Sequence, residues 1–392
     1  MAAYHYVLGE FGALNLENVV VLIRAADSVA APQPRSELAV LSPFQQGKGA
    51  LGTGMVPIKL SANESHFGPS PHAIAAYHAA AANLFRYPDG TQTALREAIA
   101  STFAIDADHI VCGNGSDELL QLLVRAYVRA GDEVVFSRYS FAMAMVHATA
   151  AGAQLVIAEE PQWRPDTDQL LAAVTPQTRL MFLASPNNPV GQYLSRSELL
   201  RLHAGLRPDV LLVLDGAYAD YVTAEDFDAG HRLVTEADNV VVTRTFSKLY
   251  GLAGLRIGWA HAPAGVIDAV QRIRTPFNAS GPAMAAATAA VLDHTHTQFV
   301  RASNARALQR LQDGVATRLA GVAFVPSAAN FYLLRFIDGT HTAHGAAAAL
   351  EGAGIIPRPV GASGPEGCLR ITVGLEHENE AVLRVLAGYL AR

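Results

Sequence analysis

Thr243-Arg-Thr-Phe-Ser-Lys-Leu-Tyr250-Gly-Leu-Ala-Gly-Leu-Arg-Ile-Gly258 is the stretch whose reading decides the fold. It starts at the end of an apolar, strand-like run, Asn239-Val-Val-Val-Thr243, and passes into a glycine-rich segment. One lysine, Lys248, follows the hydroxyls of Thr245 and Ser247, and Arg256 comes eight residues later. Burial of an amine at a strand end disfavours its charged form and leaves a nucleophile towards aldehydes. Hydroxyls and a guanidinium beside it suit a phosphate. A surface lysine in a glycine loop fits the same letters, so the rest of the chain has to decide.

Working outward, short apolar runs recur on both sides of this stretch: 109–112, 133–137, 154–158, 180–185, 210–215, 239–243 and 258–262. Helix-length segments separate most of them, among them the Ala-rich Pro71–Ala82 and Thr93–Ser101. Short strands buried on both faces and alternating with helices predict an α/β fold: a mainly parallel, mixed sheet sandwiched by helices. A long helix is expected over about 282–319, leading into a smaller α+β domain with strands at 330–336 and 368–373 and a closing helix near 376–391. The expected organisation is a weakly ordered extension (1–35), an N-terminal arm (36–69), a large domain (70–285) and a small C-terminal domain (286–392).

Bulk properties narrow the class. The chain has 392 residues, 51% hydrophobic and 16% charged, with a formal net charge of −6. This is a globular composition. The scattered Lys and Arg residues offer no field for nucleic acid. No run reaches the roughly 20 apolar residues that span a bilayer. The two cysteines, Cys112 and Cys368, make no metal-binding spacing and suit a reducing compartment, so a cytoplasmic protein is expected. The histidines of His294-Thr-His296 and His341/His344 read as surface residues, and no metal site is expected.

In open α/β sheets ligands lie beyond the carboxyl ends of the strands, so the residues after each run carry the argument. Gly113-Asn-Gly-Ser-Asp-Glu118 turns into an amphipathic helix. Free N–H groups at a helix start attract an anion, although an ordinary helix cap fits as well. It lacks the third glycine of a dinucleotide fingerprint, and Gly47-Lys48 is not a phosphate-binding loop of the nucleotide-hydrolase type. Pro186-Asn-Asn-Pro-Val-Gly191 is a turn on composition, and Asn188 in it could donate to a phenolate oxygen. Asp215, ending an apolar strand, needs a partner for its charge. A protonated pyridine nitrogen is one, and a helix-capping role is another. Tyr218 stands near enough to share a phenolate with Asn188. Glycine turn, Asn-Pro turn, Asp, Lys and Arg, in this order at successive strand ends, describe a pocket for pyridoxal 5′-phosphate.

With these segments the chain resembles the fold-type I enzymes that use pyridoxal phosphate, and among them the histidinol-phosphate aminotransferase family. The likeness runs from about Leu41 to the C-terminus through Ser42-Pro-Phe-Gln-Gln-Gly-Lys48, Ala62-Asn-Glu64, Arg86-Tyr-Pro-Asp-Gly90, Asn187-Asn-Pro-Val-Gly191, Thr245-Phe-Ser-Lys248, Gly254-Leu-Arg-Ile-Gly258, Pro276-Phe-Asn278 and Leu369-Arg-Ile-Thr-Val-Gly374. The resemblance implies a ping-pong transamination between histidinol phosphate and 2-oxoglutarate, a step of histidine biosynthesis. An aromatic amino-acid aminotransferase and a decarboxylase on the same scaffold are the rival readings. It implies that Lys248 condenses with the cofactor aldehyde and then moves the substrate Cα proton. Asp215 pairs with the ring nitrogen, and Asn188 and Tyr218 bind its phenolic oxygen. Gly115, Ser116, Asp117, Thr245, Ser247 and Arg256 surround the phosphate, and Phe141, with Tyr139 as the alternative, stacks on the ring. Arg370, Arg358 and Asn330 read the substrate. Tyr87 reaches the phosphate of a neighbouring subunit, which implies a homodimer. Three places depart from the family pattern: Gly216, where an acidic residue or alanine is usual; Ser363, where a tyrosine is usual; and Asn63-Glu-Ser-His-Phe-Gly68, for the usual Asn-Glu-Asn-Pro-aromatic-Gly.

Overall fold

A computed structural model describes residues 31–43, 48–51, 56–361 and 364–392. The chain separates into two units, Met1–Ser42 and Pro43–Arg392. In the first, the described residues form a single 3-10 turn, Ser36–Leu38; the expectation for residues 1–30 lies outside the described residues, as does Ser363.

The second unit is built on a seven-stranded sheet. Its strands are β2 (Ile110–Gly113), β3 (Glu133–Ser137), β4 (Gln154–Ala158), β5 (Thr178–Ala184), β6 (Leu211–Asp215), β7 (Val240–Thr245) and β8 (Gly258–His261), in the order β2-β8-β7-β6-β5-β3-β4. All pairings from β4 to β7 are parallel, and β8 alone runs against its neighbours. The unbroken apolar runs follow from two-sided burial. Val241 and Val213 pack on one face with Leu119 and Leu123. Val240, Val242, Leu212 and Leu214 pack on the other with Leu199 and Leu202. Alternate residues of one strand therefore serve different cores. No helix among the described residues is long and apolar enough to cross a membrane.

A second, antiparallel sheet is formed by β9 (Val322–Val325), β10 (Phe331–Phe336), β12 (Arg358–Pro359) and β13 (Cys368–Thr372), in the order β12-β13-β10-β9. Tyr332, Leu334, Leu369 and Ile371 pack there with Leu350, Val382 and Leu386 from two helices, Ala343–Gly352 and Glu376–Leu390. The arm residues Ile58–Lys59 (β1) pair in parallel with β11 (Ile355–Ile356). Leu60 is buried in the same core, and its carbonyl accepts from the Thr372 N–H at 2.8 Å. This anchor delivers Ser61, Ala62 and Asn63 to the site described below.

The single long helix expected over 282–319 is two helices, Gly281–Leu292 and His294–Arg318. Asp293 breaks it: its ψ of 74° leaves the helical region, and its carboxylate accepts from the His296 N–H at 3.0 Å. An Asp side chain that satisfies a free N–H of the next helix favours such a break over continuation.

Candidate active site

The strand register brings the chemistry together. Ala184 pairs with Asp215, and Asp215 with Thr243, across three adjacent parallel strands. Gly258 pairs with both Thr245 and Gly113. The turns beyond these rows enclose a cavity of about 320 Å³. Ser116, Asp117, Phe141, Asn188, Asp215, Tyr218, Thr245, Ser247, Lys248, Arg256, Arg358 and Arg370 all line it. A larger cleft, about 570 Å³, lies between the helices His294–Arg318 and Glu376–Leu390, and its arginines 310 and 318 are already paired with Glu376 and Glu380. We place the chemistry in the smaller cavity because its polar groups converge there without such partners.

One end of the cavity is built for an anion. The helix Gly115–Tyr127 begins there, and the N–H groups of its first turn have no partner within the helix. Arg256, at a left-handed φ of 51°, donates from Nη1 to Ser247 Oγ at 3.2 Å. Thr245 Oγ1 accepts from the Ser247 N–H at 3.1 Å. Glycine is needed at 258: a Cβ there would stand 2.4 Å from the Ser116 nitrogen and 2.8 Å from the Gly115 carbonyl carbon. The close approach of β8 to the helix start is what turns its N–H groups into the cavity. Asp117 Oδ1 lies 3.2 Å from His147 Nε2, which holds that carboxylate.

The other end is built for a cation. Asp215 Oδ1 accepts from the Ala217 N–H at 3.1 Å and from Thr243 Oγ1 at 3.4 Å. Its second oxygen accepts no hydrogen bond from the described residues. Burial pushes this carboxyl up to about 6, against the two donors, and the nearby Asp117 adds to the rise. A buried carboxylate with one open oxygen is completed by a positively charged partner. Lys248 Nζ donates to the Ala62 carbonyl at 3.2 Å and sits 5.6 Å from the centre of the Tyr218 ring.

Two donors face the space between. Asn188 Oδ1 is taken by Arg370 Nη1 at 2.5 Å, which leaves its Nδ2 to donate. Tyr218 Oη accepts from Asn63 Nδ2 at 2.9 Å, which leaves its own proton to give. Asn63 is held in turn, since Thr372 Oγ1 accepts from its N–H at 3.0 Å and donates to its Oδ1 at 3.2 Å. Arg358 and Arg370 face each other in the β12–β13 register. Desolvation, joined by the Arg358 charge, lowers Arg370 to about 10, while Tyr218 acts the other way. Two neighbouring guanidiniums on one wall call for an anion.

Three of the named residues lie elsewhere. Gly115 does not line the cavity; its φ of 78° and the Arg256 guanidinium, 2.5 Å from where a Cβ would stand, explain the glycine. Asn330 is 2% exposed and sits behind the wall, where its Nδ2 donates to the carbonyls of Asn63 at 3.0 Å and Glu64 at 3.3 Å. It holds the arm and does not face substrate. Tyr87 is 84% exposed and stacks on Phe277 at 4.8 Å, away from its own chain's cavity. Between the two aromatics considered for stacking, Phe141 lines the cavity, whereas Tyr139 packs against Val190, Leu333 and Val360. Lys59, Ser61, Ala62, Asn63 and Thr243 belong to the site and escaped the sequence reading. Their signal was weak, because an extended arm carries no strand end to mark it. The Ser65-His66 departure points away from the cavity: His66 Nδ1 lies 2.8 Å from Glu378 Oε2 at the start of the closing helix. At Gly216 a Cβ would press on Arg244 Cδ at 2.9 Å, so the absent side chain makes room for a buried arginine.

This geometry agrees with comparisons to known proteins. Residues 56–386 match the model of the family described as aminotransferase class I and II, and the chain belongs to that family. Its fold is fold type I of the pyridoxal-phosphate enzymes. More particularly, it is similar to histidinol-phosphate aminotransferases. That of Rhodopseudomonas palustris (strain BisA53) is 46% identical over 366 residues, covering 93% of this chain and 100% of the relative. That of Paramagnetospirillum magneticum (strain ATCC 700264 / AMB-1) is 45% identical over 92% of this chain and 99% of its own. The crystal structure of histidinol-phosphate aminotransferase from Sinorhizobium meliloti in complex with pyridoxal-5′-phosphate superposes with a TM-score of 0.82 at 31% identity, covering 94% of this chain and 99% of that one.

Proposed function

We propose that the cavity holds pyridoxal 5′-phosphate and that the enzyme transfers an amino group between histidinol phosphate and 2-oxoglutarate, a step of histidine biosynthesis. The observation that carries the reading is the polarity of one cavity: an anion cradle at one end, a buried carboxylate at the other, and Lys248 on the wall between. The names of the relatives supply the substrate.

When bound, the coenzyme supplies an aldehyde for the amino group and a ring that draws electron density from the substrate carbon. Ser116, Thr245, Ser247, Arg256 and the helix-start N–H groups, including that of Asp117, hold its phosphate. Asp215 balances the charge of the ring nitrogen. Asn188 Nδ2 and the Tyr218 hydroxyl donate to the ring oxygen, and Phe141 covers one ring face. Lys248 Nζ bonds the aldehyde carbon and takes and returns the proton of the substrate Cα. Arg370 and Arg358, with Lys59 on the same wall, bind the far anion of the substrate. This is a phosphate in one half-reaction and a carboxylate in the other. The three cations favour a phosphate-bearing substrate over an aromatic amino acid.

The working unit of the proposal is a homodimer in the cytoplasm. Tyr87, with exposed Leu84, Phe85 and Phe277 around it, forms an apolar ridge suited to reach a neighbouring subunit's phosphate. Both cysteines are free and buried, as suits a reducing compartment. In this reading residues 36–69 are the arm, 70–285 the coenzyme domain and 286–392 the small domain.

A substrate panel tests the function. Histidinol phosphate should exceed histidinol, phenylalanine and tyrosine by about 100-fold or more in kcat/KM, the scale of one lost charge-assisted contact. Equal turnover of phenylalanine or tyrosine overturns the substrate assignment. Release of CO2 without need of a keto acid favours a decarboxylase. Borohydride should fix the coenzyme on Lys248; its failure to do so overturns the cofactor assignment.

A further inference from the structure

Glu160 stands just beyond β4, outside the cavity, and is 5% exposed. Three donors converge on its carboxylate. Ser137 Oγ makes a close contact with Oε1, the Tyr139 N–H reaches the same oxygen at 3.2 Å, and Asn187 Nδ2 reaches Oε2 at 3.0 Å. The first two donors belong to the turn after β3, which leads to Phe141. The third belongs to the turn after β5, which leads to Asn188.

The donors cannot be exchanged for acceptors. The amide of Asn187 is pinned, because its Oδ1 accepts from the Gln192 N–H at 2.9 Å and its own carbonyl accepts from the Gly191 N–H at 2.9 Å. Its Nδ2 must therefore face Glu160. Each oxygen of Glu160 meets an N–H group that can only donate. A glutamine would set its own NH2 against one of them, although it has the shape of the native side chain.

We propose that Glu160 is a positioning residue: its carboxylate ties the Ser137–Phe141 turn to the Asn187–Gln192 turn and so holds Phe141 and Asn188 at their separation across the cavity. Through Asn188 the tie extends to Arg370. The inference rests on the coenzyme reading above. Burial pushes Glu160 up to about 7, opposed by its three donors, and neighbouring Glu159 adds to the rise. Around it stand Glu159, whose charge is paired with Arg138 at 3.3 Å, and the Tyr139 phenol. The tie therefore titrates near neutral pH.

The test is a double-mutant cycle read in coenzyme affinity, measured by fluorescence on protein freed of pyridoxal phosphate. Glu160→Gln should weaken binding about tenfold, Asn188→Ala by a similar factor, and the double variant by little more than either alone, since coupled neighbours are not additive. Binding to the parent should change near pH 7, and Glu160→Gln should remove that step. Additive effects, or binding within twofold of the parent in folded Glu160→Gln, overturn the proposal. Should Glu160→Gln fail to fold, Ser137→Ala and Asn187→Ala, each removing one donor, take its place in the cycle with the same criteria. A parent that binds no pyridoxal phosphate overturns the coenzyme reading itself, and this inference with it.

Discussion

Arg370 donates from Nη1 to Asn188 Oδ1 at 2.5 Å and from Nη2 to the Ser61 carbonyl at 2.7 Å. The guanidinium that reads the substrate thereby sets the orientation of the amide that faces the coenzyme. Substrate wall, arm and coenzyme donor are one hydrogen-bonded piece.

Arg370→Lys should break that piece although the charge is kept. A lysine amine is a point donor and cannot span Asn188 and Ser61 as a planar fork does. We expect kcat/KM for 2-oxoglutarate to fall by about 100-fold, the equivalent of one or two charge-assisted hydrogen bonds. Coenzyme affinity should weaken by a smaller factor. Steady-state kinetics beside a coenzyme titration check both.

Asp215 makes coenzyme binding depend on pH. Burial pushes its carboxyl up to about 6 in the protein alone. A raised folded value means that the protein without coenzyme is relatively favoured at low pH and loses that contribution as pH rises through 6. A cationic ring nitrogen removes the cost of the buried charge. The thermal shift on adding pyridoxal phosphate should therefore be larger at pH 8 than at pH 5. Asp215→Asn should flatten that difference and raise the stability of the coenzyme-free protein at pH 8.

Gly258→Ala tests the cradle. The added carbon meets backbone: the Ser116 nitrogen, the Gly115 carbonyl carbon and, at 2.9 Å, the Arg244 oxygen. Overpacking of this kind costs about 1–3 kcal/mol. The strand and the helix start must part, so affinity for pyridoxal phosphate should fall more than affinity for pyridoxal, which lacks the phosphate. Denaturant titrations and the two binding constants give the answer.

Behind the site, Arg244 and Asp220 form a buried ion pair. Arg244 Nη1 also donates to His231 Nε2 at 3.1 Å, and His231 Nδ1 lies 3.2 Å from His261 Nδ1. Because Arg244 can only donate, His231 carries its proton on Nδ1 and passes it towards His261. Arg244→Met strands the Asp220 carboxylate and should cost about 3–5 kcal/mol in urea melts. Adding Asp220→Leu should recover much of that loss. Burial lowers His261 to about 4, so its share of stability is present above 6.5 and is lost as pH falls through 4. His261→Phe should lessen acid destabilisation in that window.

The chemistry at the strand ends was legible because a buried parallel strand leaves little choice. An apolar run of five or six residues must stop at the sheet edge, and the polar residue that stops it faces the ligand side. Asp215 and Lys248 could be read from that rule. Helix boundaries were less legible: Asp293 in an otherwise helical stretch becomes a break only because its carboxylate finds the His296 N–H. Lys59, Ser61 and Asn63 follow no strand. They reach the cavity because Ile58 pairs with Ile355, some 300 residues away in the chain.

By itself the sequence determined the α/β class, the order of the strand-end residues and the lysine that bonds the coenzyme, since each depends on local periodicity and on which residue ends an apolar run. Only the tertiary structure decided that Asn330 supports the arm and does not touch substrate, that His66 turns to Glu378, and that Glu160 bridges two turns of the site. Those outcomes depend on which buried donor meets which buried acceptor. Such pairings are set by packing between segments distant in the chain, and no local pattern records them.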